Sequence, residues 1–245
     1  NFGFNFGGTV IPRKLDLSAN VFGTSNYTTP STYYNSGSGT QAETLDIRRP
    51  VQNLSVGATM NWAVTRDQTI RVAGNVGGGR QRNLGVGDFE QLEHAYATDT
   101  RNFSFLVQEA GPLGRRFFTN TRMRVYGGNT SSHSALETPT IVVNEAFTTG
   151  GAQRMGATRT RGVALQSDLD YVRGRNSWRT GIQIEGAWYH SDETSNYLGT
   201  YTFTSLENYQ AGRPTFYSRR VGDPTIDYAN LQVGLYLQDD IRISK

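Results

Sequence analysis

Apolar and polar residues alternate over most of the chain, whereas helical periodicity is almost nowhere present. In one stretch, Leu54, Val56 and Met60 alternate with Ser55 and Thr59. The same pattern recurs over Leu15–Val21, Ile70–Val76, Val163–Tyr171, Trp178–Trp188 and Leu231–Leu237. Each stretch predicts a β-strand with one apolar and one polar face.

The alternating stretches are longer than the strands of ordinary soluble sheets. At a rise of ~3.3 Å per residue and a tilt of ~45°, about ten residues span roughly 24 Å, which is the thickness of a bilayer core. We therefore expect the apolar set to face lipid and the neighbouring polar residues to face a water-filled lumen. The set is Leu54, Val56, Met60, Trp62, Ile182, Ile184, Trp188, Leu231, Val233 and Leu235.

Connections between the stretches alternate between short and long. Short turns are predicted around Arg13, Arg66, Leu113 and Arg175, with a fifth beginning at Lys245. Long polar loops are predicted over Thr28–Pro50, Arg82–Thr100, Ser131–Arg159 and Ser191–Tyr228. Short turns at one rim and long loops at the other are typical of outer-membrane barrels.

Aromatic residues flank the short turns, as the interfacial girdle of a membrane barrel requires. Trp62 and Tyr171 precede a turn, while Phe117 and Trp178 follow one. A large soluble β-solenoid, sandwich or fibre protein would also show alternating strands with aromatic ends. Soluble β-structure therefore remains the alternative.

The predicted fold class is all-β, an antiparallel transmembrane β-barrel that is incomplete in this chain. Each of the four intervals between successive short turns holds two strands. Together with Phe2–Val10 this gives about nine strands, whereas bacterial barrels close with an even number. The mean interval of about 58 residues is large for an 8- or 10-stranded barrel and favours a 22-stranded one. Residues 1–245 are thus expected to be part of a single barrel domain, with unpaired edges at Phe2–Val10 and Leu231–Ile243.

Composition narrows the range of functions. Only 18% of the residues are charged, 28 are Gly and none is Cys, so Cys-ligated zinc, iron–sulfur clusters and thiol catalysis are excluded. The net charge is +3, without the clustered basic face of a nucleic-acid-binding protein. His94, His133 and His190 stand apart from one another. We therefore expect no metal, no cofactor, no nucleic-acid partner and no enzymatic activity.

Charged residues within the strands are candidates for the lumen wall. We expect Asp168 and Asp170 to pair with Arg122 and Arg124 and to hydrate the wall; acid–base chemistry is the alternative. The candidate lumen-facing polar residues are Arg122, Arg124, Asp168, Asp170, Arg179 and Glu185.

Two features are expected in the long loops. Arg154, Arg159 and Arg161 are placed in one loop, where they would attract anionic lipopolysaccharide or substrate, unless they are ordinary solvated charges. Ser205–Gly212 is expected to form a short helix, since Ser205 can cap its start and Gly212 can end it. Gly and Ser in these loops are equally compatible with flexible loops that bind nothing.

The C-terminal part resembles a known family. The segments Tyr201–Ser218 (YTFTSLENYQAGRPTFYS) and Leu231–Lys245 (LQVGLYLQDDIRISK) are similar to the barrels of TonB-dependent outer-membrane receptors. They resemble most the Oar-like branch, whose members carry a carboxypeptidase-regulatory-like domain. Phe4–Gly8 is similar to the strand that enters those barrels, although Thr9 replaces the usual Pro.

The resemblance implies active import of a scarce peptide, glycan or metal chelate across the outer membrane of a Gram-negative bacterium. It also implies a plug, N-terminal domains and a contact with the TonB complex, all carried by segments outside this chain. The partners expected of the barrel itself are membrane lipid, lipopolysaccharide and a small or peptidic substrate. A passive porin and a structural or adhesive surface protein are the alternative functions; an outer-membrane hydrolase is disfavoured because no nucleophile–His–acid set is spaced for it.

Overall fold

A computed structural model describes residues 1–35, 40–44 and 47–243. These residues form mainly β-strands, with a 3₁₀ turn at Leu92–His94 and one short helix, α1 (Leu206–Gln210). The strands are β1 (Phe2–Ile11), β2 (Leu15–Thr28), β3 (Ser31–Asn35), β4 (Thr40–Thr44), β5 (Arg49–Ala63), β6 (Thr69–Leu84), β7 (Tyr96–Leu113), β8 (Phe117–Ser134), β9 (Thr140–Val143), β10 (Phe147–Gly150), β11 (Gly156–Arg173), β12 (Asn176–Ser191), β13 (Thr200–Phe203), β14 (Phe216–Ser218) and β15 (Ile226–Ile241). No helix in the described ranges has the length and apolar character needed to cross a membrane.

Nine long strands form one sheet, in the order β1-β2-β5-β6-β7-β8-β11-β12-β15. Every neighbouring pair is antiparallel. Within the described ranges, β1 and β15 each pair with a single neighbour, so the sheet is open at both edges. The predicted all-β antiparallel fold, its nine strands and its two unpaired edges are confirmed.

The connections divide between the two rims of the sheet as predicted. Turns at residues 12–14, 64–68, 114–116 and 174–175 join consecutive strands at one rim, so Arg66 and Arg175 lie on the same side. Gly174 has a φ of +66°, a left-handed conformation that favours glycine in tight hairpins. The described residues of segment 29–48, together with segments 85–95, 135–155 and 192–225, lie at the opposite rim. The turn expected at Lys245 lies outside the described residues.

Strand register sorts the alternating residues onto two faces, which we call the apolar face and the polar face. Ile184 lies opposite Leu165 on one side and Val233 on the other, and Val56 lies opposite Val76. The residues expected to face lipid all share the apolar face; they range from half-buried Ile182 to Leu235, which is 76% exposed. No second protein layer covers them in the described part of the chain, and a soluble protein would rarely leave so large an apolar surface open.

Aromatic rings mark the short-turn rim of the apolar face. Phe117, Tyr171 and Trp178 come from β8, β11 and β12. The ring centroids of Phe117 and Tyr171 are 4.8 Å apart, and those of Tyr171 and Trp178 are 5.9 Å apart. Trp188 lies at the other end of β12, about ten residues from Trp178, which corresponds to roughly 24 Å along the membrane normal for a strand tilted by ~45°. The apolar face therefore has the height of a bilayer core.

The buried core lies beyond the long-loop rim. A second sheet, in the order β10-β9-β13-β14, joins segment 135–155 to segment 192–225, and β9 and β13 run parallel. Val143, Ala146 and Phe203 are its buried centre, and Leu206 and Tyr209 of α1 pack against them. We call this unit, β9, β10, α1, β13 and β14, the external subdomain.

The short helix α1 forms within the predicted Ser205–Gly212. The Ser205 hydroxyl oxygen accepts a hydrogen bond from the backbone N–H of Asn208 at 3.3 Å, as an N-cap should. Gly212, with a φ of +65°, follows the helix end. The predicted capping residue is confirmed, and the helix lies in the external subdomain.

Candidate functional site

The polar face lines a long concave surface. A cavity of about 660 Å³ runs across it from β2 to β12, and its walls include Asn20, Asn75, Gln108, Arg122 and Arg124. These side chains are short amides or cations from neighbouring strands, brought into line by the antiparallel register. Such a surface suits the inner wall of a barrel with a hydrated lumen.

Cross-strand pairing decides which charges on this face neutralise one another. Arg179 lies directly opposite Asp170, and its Nε and Nη2 donate to the two carboxylate oxygens at 2.5 and 2.8 Å. Asp168 instead accepts a hydrogen bond from the Tyr236 hydroxyl at 2.7 Å. Both aspartates are therefore held by strands on the β12 side.

The expected pairing of Asp168 and Asp170 with Arg122 and Arg124 was wrong. Register places Arg122 opposite Gln166, one row away from Asp168. Each aspartate is instead bound by a side chain of β12 or β15, Asp170 by Arg179 and Asp168 by Tyr236. The periodicity identified the correct face of the sheet, but it could not show which residues of neighbouring strands lie opposite each other.

Arg122 and Arg124 remain without a carboxylate partner in the described part of the chain. Arg124 donates from Nε to the Ser104 hydroxyl at 3.0 Å, and its guanidinium lies 4.9 Å from the centroid of the Tyr126 ring. Both arginines are exposed to the cavity. The middle of the polar face thus carries two unneutralised positive charges.

Sequence analysis did not identify two tyrosines that belong to this site. The Tyr126 hydroxyl donates to Glu185 at 2.8 Å, across β11, and Tyr236 binds Asp168 as described. Gly162 and Gly181 lie beneath the two rings, since a Cβ at either position would come within 2.4 Å of them. A tyrosine on a polar register position, paired with a glycine on the next strand, was the available signal.

Buried hydrogen bonds hold the external subdomain together. Gln153 is buried and joins its two segments: its Nε2 donates to the Gly199 carbonyl at 2.6 Å and to the Thr140 hydroxyl at 3.0 Å, and its Oε1 accepts from the Leu198 N–H at 2.8 Å. Tyr201 and Tyr217 pack with ring centroids 4.7 Å apart and stay partly exposed. The described residues of segments 135–155 and 192–225 are therefore packed against each other.

The acidic residue of α1 is stabilised in its charged form. A hydrogen bond from the Ser205 side chain, followed by one from its own backbone N–H, lowers the pKa of Glu207 below its ordinary value. Glu207 is fully exposed, so solvent screens its charge and the effect on the helix is small.

The three arginines predicted to share a loop lie in two places. Arg154 is in segment 135–155, with its guanidinium 5.8 Å from the centroid of the Tyr96 ring. Arg159 and Arg161 belong to β11, which begins at Gly156, and both lie on the apolar face. Their placement in a loop was wrong because β11 continues past the end of the apolar alternation.

The histidines lie apart, each beside a different group. His94 approaches the Gly150 carbonyl, His133 approaches Arg82, and Nδ1 of His190 lies 2.7 Å from Asp227. Over the described ranges, no three His, Cys, Asp or Glu side chains come together in a way that could hold a metal ion.

Comparisons with known proteins agree with this geometry. The family model of the outer membrane beta barrel domain matches residues 74–245. The structure is similar to the crystal structure of the outer membrane transporter YddB from Escherichia coli, with a TM-score of 0.64 and 11% sequence identity. That match covers 98% of this chain and 31% of the transporter, so the chain spans less than a third of the transporter's length. No curated protein sequence matches the chain.

Proposed function

The chain belongs to the outer membrane beta barrel domain family and is located in the outer membrane, and from this we propose that it forms part of the barrel of a TonB-dependent transporter. The imported substrate is a scarce peptide, glycan or metal chelate that the external subdomain captures. Energy reaches the barrel through the TonB complex and a plug.

The ordered external subdomain is the observation that carries this proposal. A passive pore needs long loops only to narrow its mouth, whereas a receptor needs a preorganised recognition surface. Here two segments that are far apart in sequence share a sheet, a hydrophobic centre and the buried Gln153. Such a unit supports capture of a specific substrate above the barrel.

The polar face supports an anionic or strongly polar substrate. Arg122 and Arg124 expose charges that nothing in the described part of the chain neutralises, while Asp170 and Arg179 neutralise each other. A substrate or plug surface that carries carboxylates or phosphates would bind such a wall.

Substrate depletion tests transport directly. Cells that produce the full-length protein are given a mixture of peptides, oligosaccharides and iron chelates, and the medium is followed by mass spectrometry with and without a protonophore. We expect at least one compound to be removed only when the protein is present and the protonophore is absent. Removal that continues with the protonophore would identify a passive porin, and no removal would favour a structural or adhesive role.

Deletion of Thr140–Gly156 tests the external subdomain in the same assay. The deletion removes β9, the strand that pairs with both β10 and β13. Gly156 lies opposite Ser132, so the remaining connector has little distance to span and the barrel should still insert. We expect uptake to be abolished while the inserted protein keeps its heat-modifiable migration in gels; unchanged uptake would remove the subdomain from the mechanism.

A further inference from the structure

Three arginines form a cluster on the apolar face, near the long-loop rim. Arg101 of β7 lies opposite Asn129 of β8, and Asn129 lies opposite Arg159 of β11, so the three residues form one row. Arg161 is two residues further along β11, on the same face. All three arginines are exposed, and cationic side chains at the edge of a hydrocarbon layer attract anionic lipid groups.

The carboxylates on this part of the face already have other partners. Asp99 binds Arg80 at 3.0 Å and Arg82 at 3.3 Å, and Asp227 binds His190. In the described part of the chain, no carboxylate forms an ion pair with any arginine of the cluster. The single hydrogen bond found within it joins Arg159 Nε to Asn129 Oδ1 at 3.3 Å.

The cluster surrounds a depression of about 340 Å³, which Arg101, Asn129, Arg159 and Arg161 line together with Phe103. Strands in a sheet are ~4.8 Å apart, so the backbones of Arg101 and Arg159 are separated by about 10 Å. Long arginine side chains at that separation can converge on the anionic groups of one headgroup.

A glycine on β8 lets the Phe103 ring lie beside the depression. Gly127 lies opposite Phe103 and Arg161 in the next row, and a Cβ there would come within 2.6 Å of the Phe103 ring. The row below contains Phe105, Val125 and Val163, where the apolar belt begins. Cationic side chains thus stand directly above a surface that suits acyl chains.

The location selects one class of ligand. Long connections mark the external rim of an outer-membrane barrel, so the cluster lies at the level of the outer leaflet's headgroups. Strands β6 and β12 flank it within the same sheet, and the cluster therefore does not depend on strands outside this chain.

We propose that Arg101, Arg159 and Arg161 bind the phosphate groups of a phosphorylated glycolipid of the outer leaflet, a lipopolysaccharide. Its acyl chains lie on Phe105, Val125 and the apolar residues below them, and Asn129 adds a hydrogen-bonding group. The site is on the outside of the wall, so it is independent of the transport function proposed for the lumen and the external subdomain.

Lipid binding by matched variants tests the site. The full-length protein in detergent micelles is titrated with purified lipopolysaccharide, with the same lipopolysaccharide after phosphatase treatment, and with phosphatidylglycerol. The test variant is R101Q/R159Q/R161Q. The control variant, R115Q/R116Q/R175Q, removes the same charge from exposed arginines at the short-turn rim. Heat-modifiable migration verifies that each variant is folded.

We expect the test variant to bind intact lipopolysaccharide at least ~10-fold more weakly, since it lacks the three cationic groups that attract the phosphates. The control variant should bind like the unmodified protein, and removal of the phosphates should weaken the unmodified protein by a similar factor.

Several results would overturn the proposal. Equal affinity for the dephosphorylated lipid would exclude phosphate recognition, and that comparison needs no variant. Equal affinity for phosphatidylglycerol would show general attraction to anionic lipids. Full competition by millimolar inorganic phosphate would show a site for free anions, and equal weakening of the control variant would show a non-specific charge effect.

Discussion

The nine-stranded wall and the external subdomain treat apolar side chains in opposite ways. In the wall, Leu237 is 79% exposed and Phe105 is 48% exposed. In the external subdomain, Val143 is 2% and Phe203 is 7% exposed. The same chain therefore builds one region for hydrocarbon and another for water, and burial within the protein measures hydrophobic stabilisation only in the second.

The comparison predicts that a core deletion in the external subdomain leaves the wall intact. Phe203→Ala should cost about 3–5 kcal/mol of local stability, because the subdomain has few other buried apolar groups. Hydrogen exchange should then become fast at the amides of β9 and β13, while the amides of β11 and β12 stay protected. Equal loss of protection in both regions would show that they unfold as one unit.

A charge introduced on the apolar face should destabilise the wall rather than the external subdomain. Ile184 lies near the middle of β12, between Trp178 and Trp188, so Ile184→Arg should lower the free energy of unfolding in bilayers by roughly 2–4 kcal/mol. Its matched control is Gln183→Arg, which places the same charge on the polar face, beside the lumen cavity. Denaturant titration in vesicles compares the two; equal destabilisation would contradict the assignment of the faces.

The helix cap gives the smallest expected effect. Ser205→Ala removes the hydrogen bond to the Asn208 N–H and should cost about 1 kcal/mol of local stability. It also removes the largest cause of the lowered Glu207 pKa. A folded-state pKa below the unfolded one contributes stability above the unfolded pKa, and that contribution is lost as the pH falls through the folded value.

Hydrogen exchange at α1 measures this effect at neutral and acidic pH. We expect the difference between Ser205→Ala and the unmodified protein to shrink at acidic pH, below the ordinary pKa of a glutamate. A difference that grows on acidification would contradict the account of Glu207.

The sequence predicted the wall well because its signal is local. Each hairpin joins strands that are consecutive around a short turn, and alternation assigns faces such as that of Trp178 without knowledge of register. Ser205 was also predictable, since a capping side chain acts three residues away.

The external subdomain could not be predicted in the same way. Strands β9 and β13 have four residues each and pair in parallel across about 60 residues of sequence, so their periodicity is too short to read. Gln153 resembles any loop glutamine until Gly199 and Leu198 are brought beside it. Non-local contacts of this kind leave no local pattern.

Strand ends and side-chain partners were the other errors. Beyond the apolar belt both faces of β11 are polar, so alternation could not show that Arg159 and Arg161 remain in the strand. On the polar face, Asp170 faces Arg179 and Arg122 faces Gln166 through register alone. The roles proposed for these arginines stay predictions.

Accessibility along β12 tests the central claim, that alternate residues face lipid and lumen, most directly. Nitroxide labels are placed singly at positions 182, 183, 184 and 185 of the full-length protein in vesicles, and their collision rates with oxygen and with a water-soluble nickel chelate are measured by electron paramagnetic resonance. We predict that labels at Ile182 and Ile184 collide mainly with oxygen, and labels at Gln183 and Glu185 mainly with the nickel chelate. Equal accessibility at all four positions, or the reverse alternation, would contradict the account.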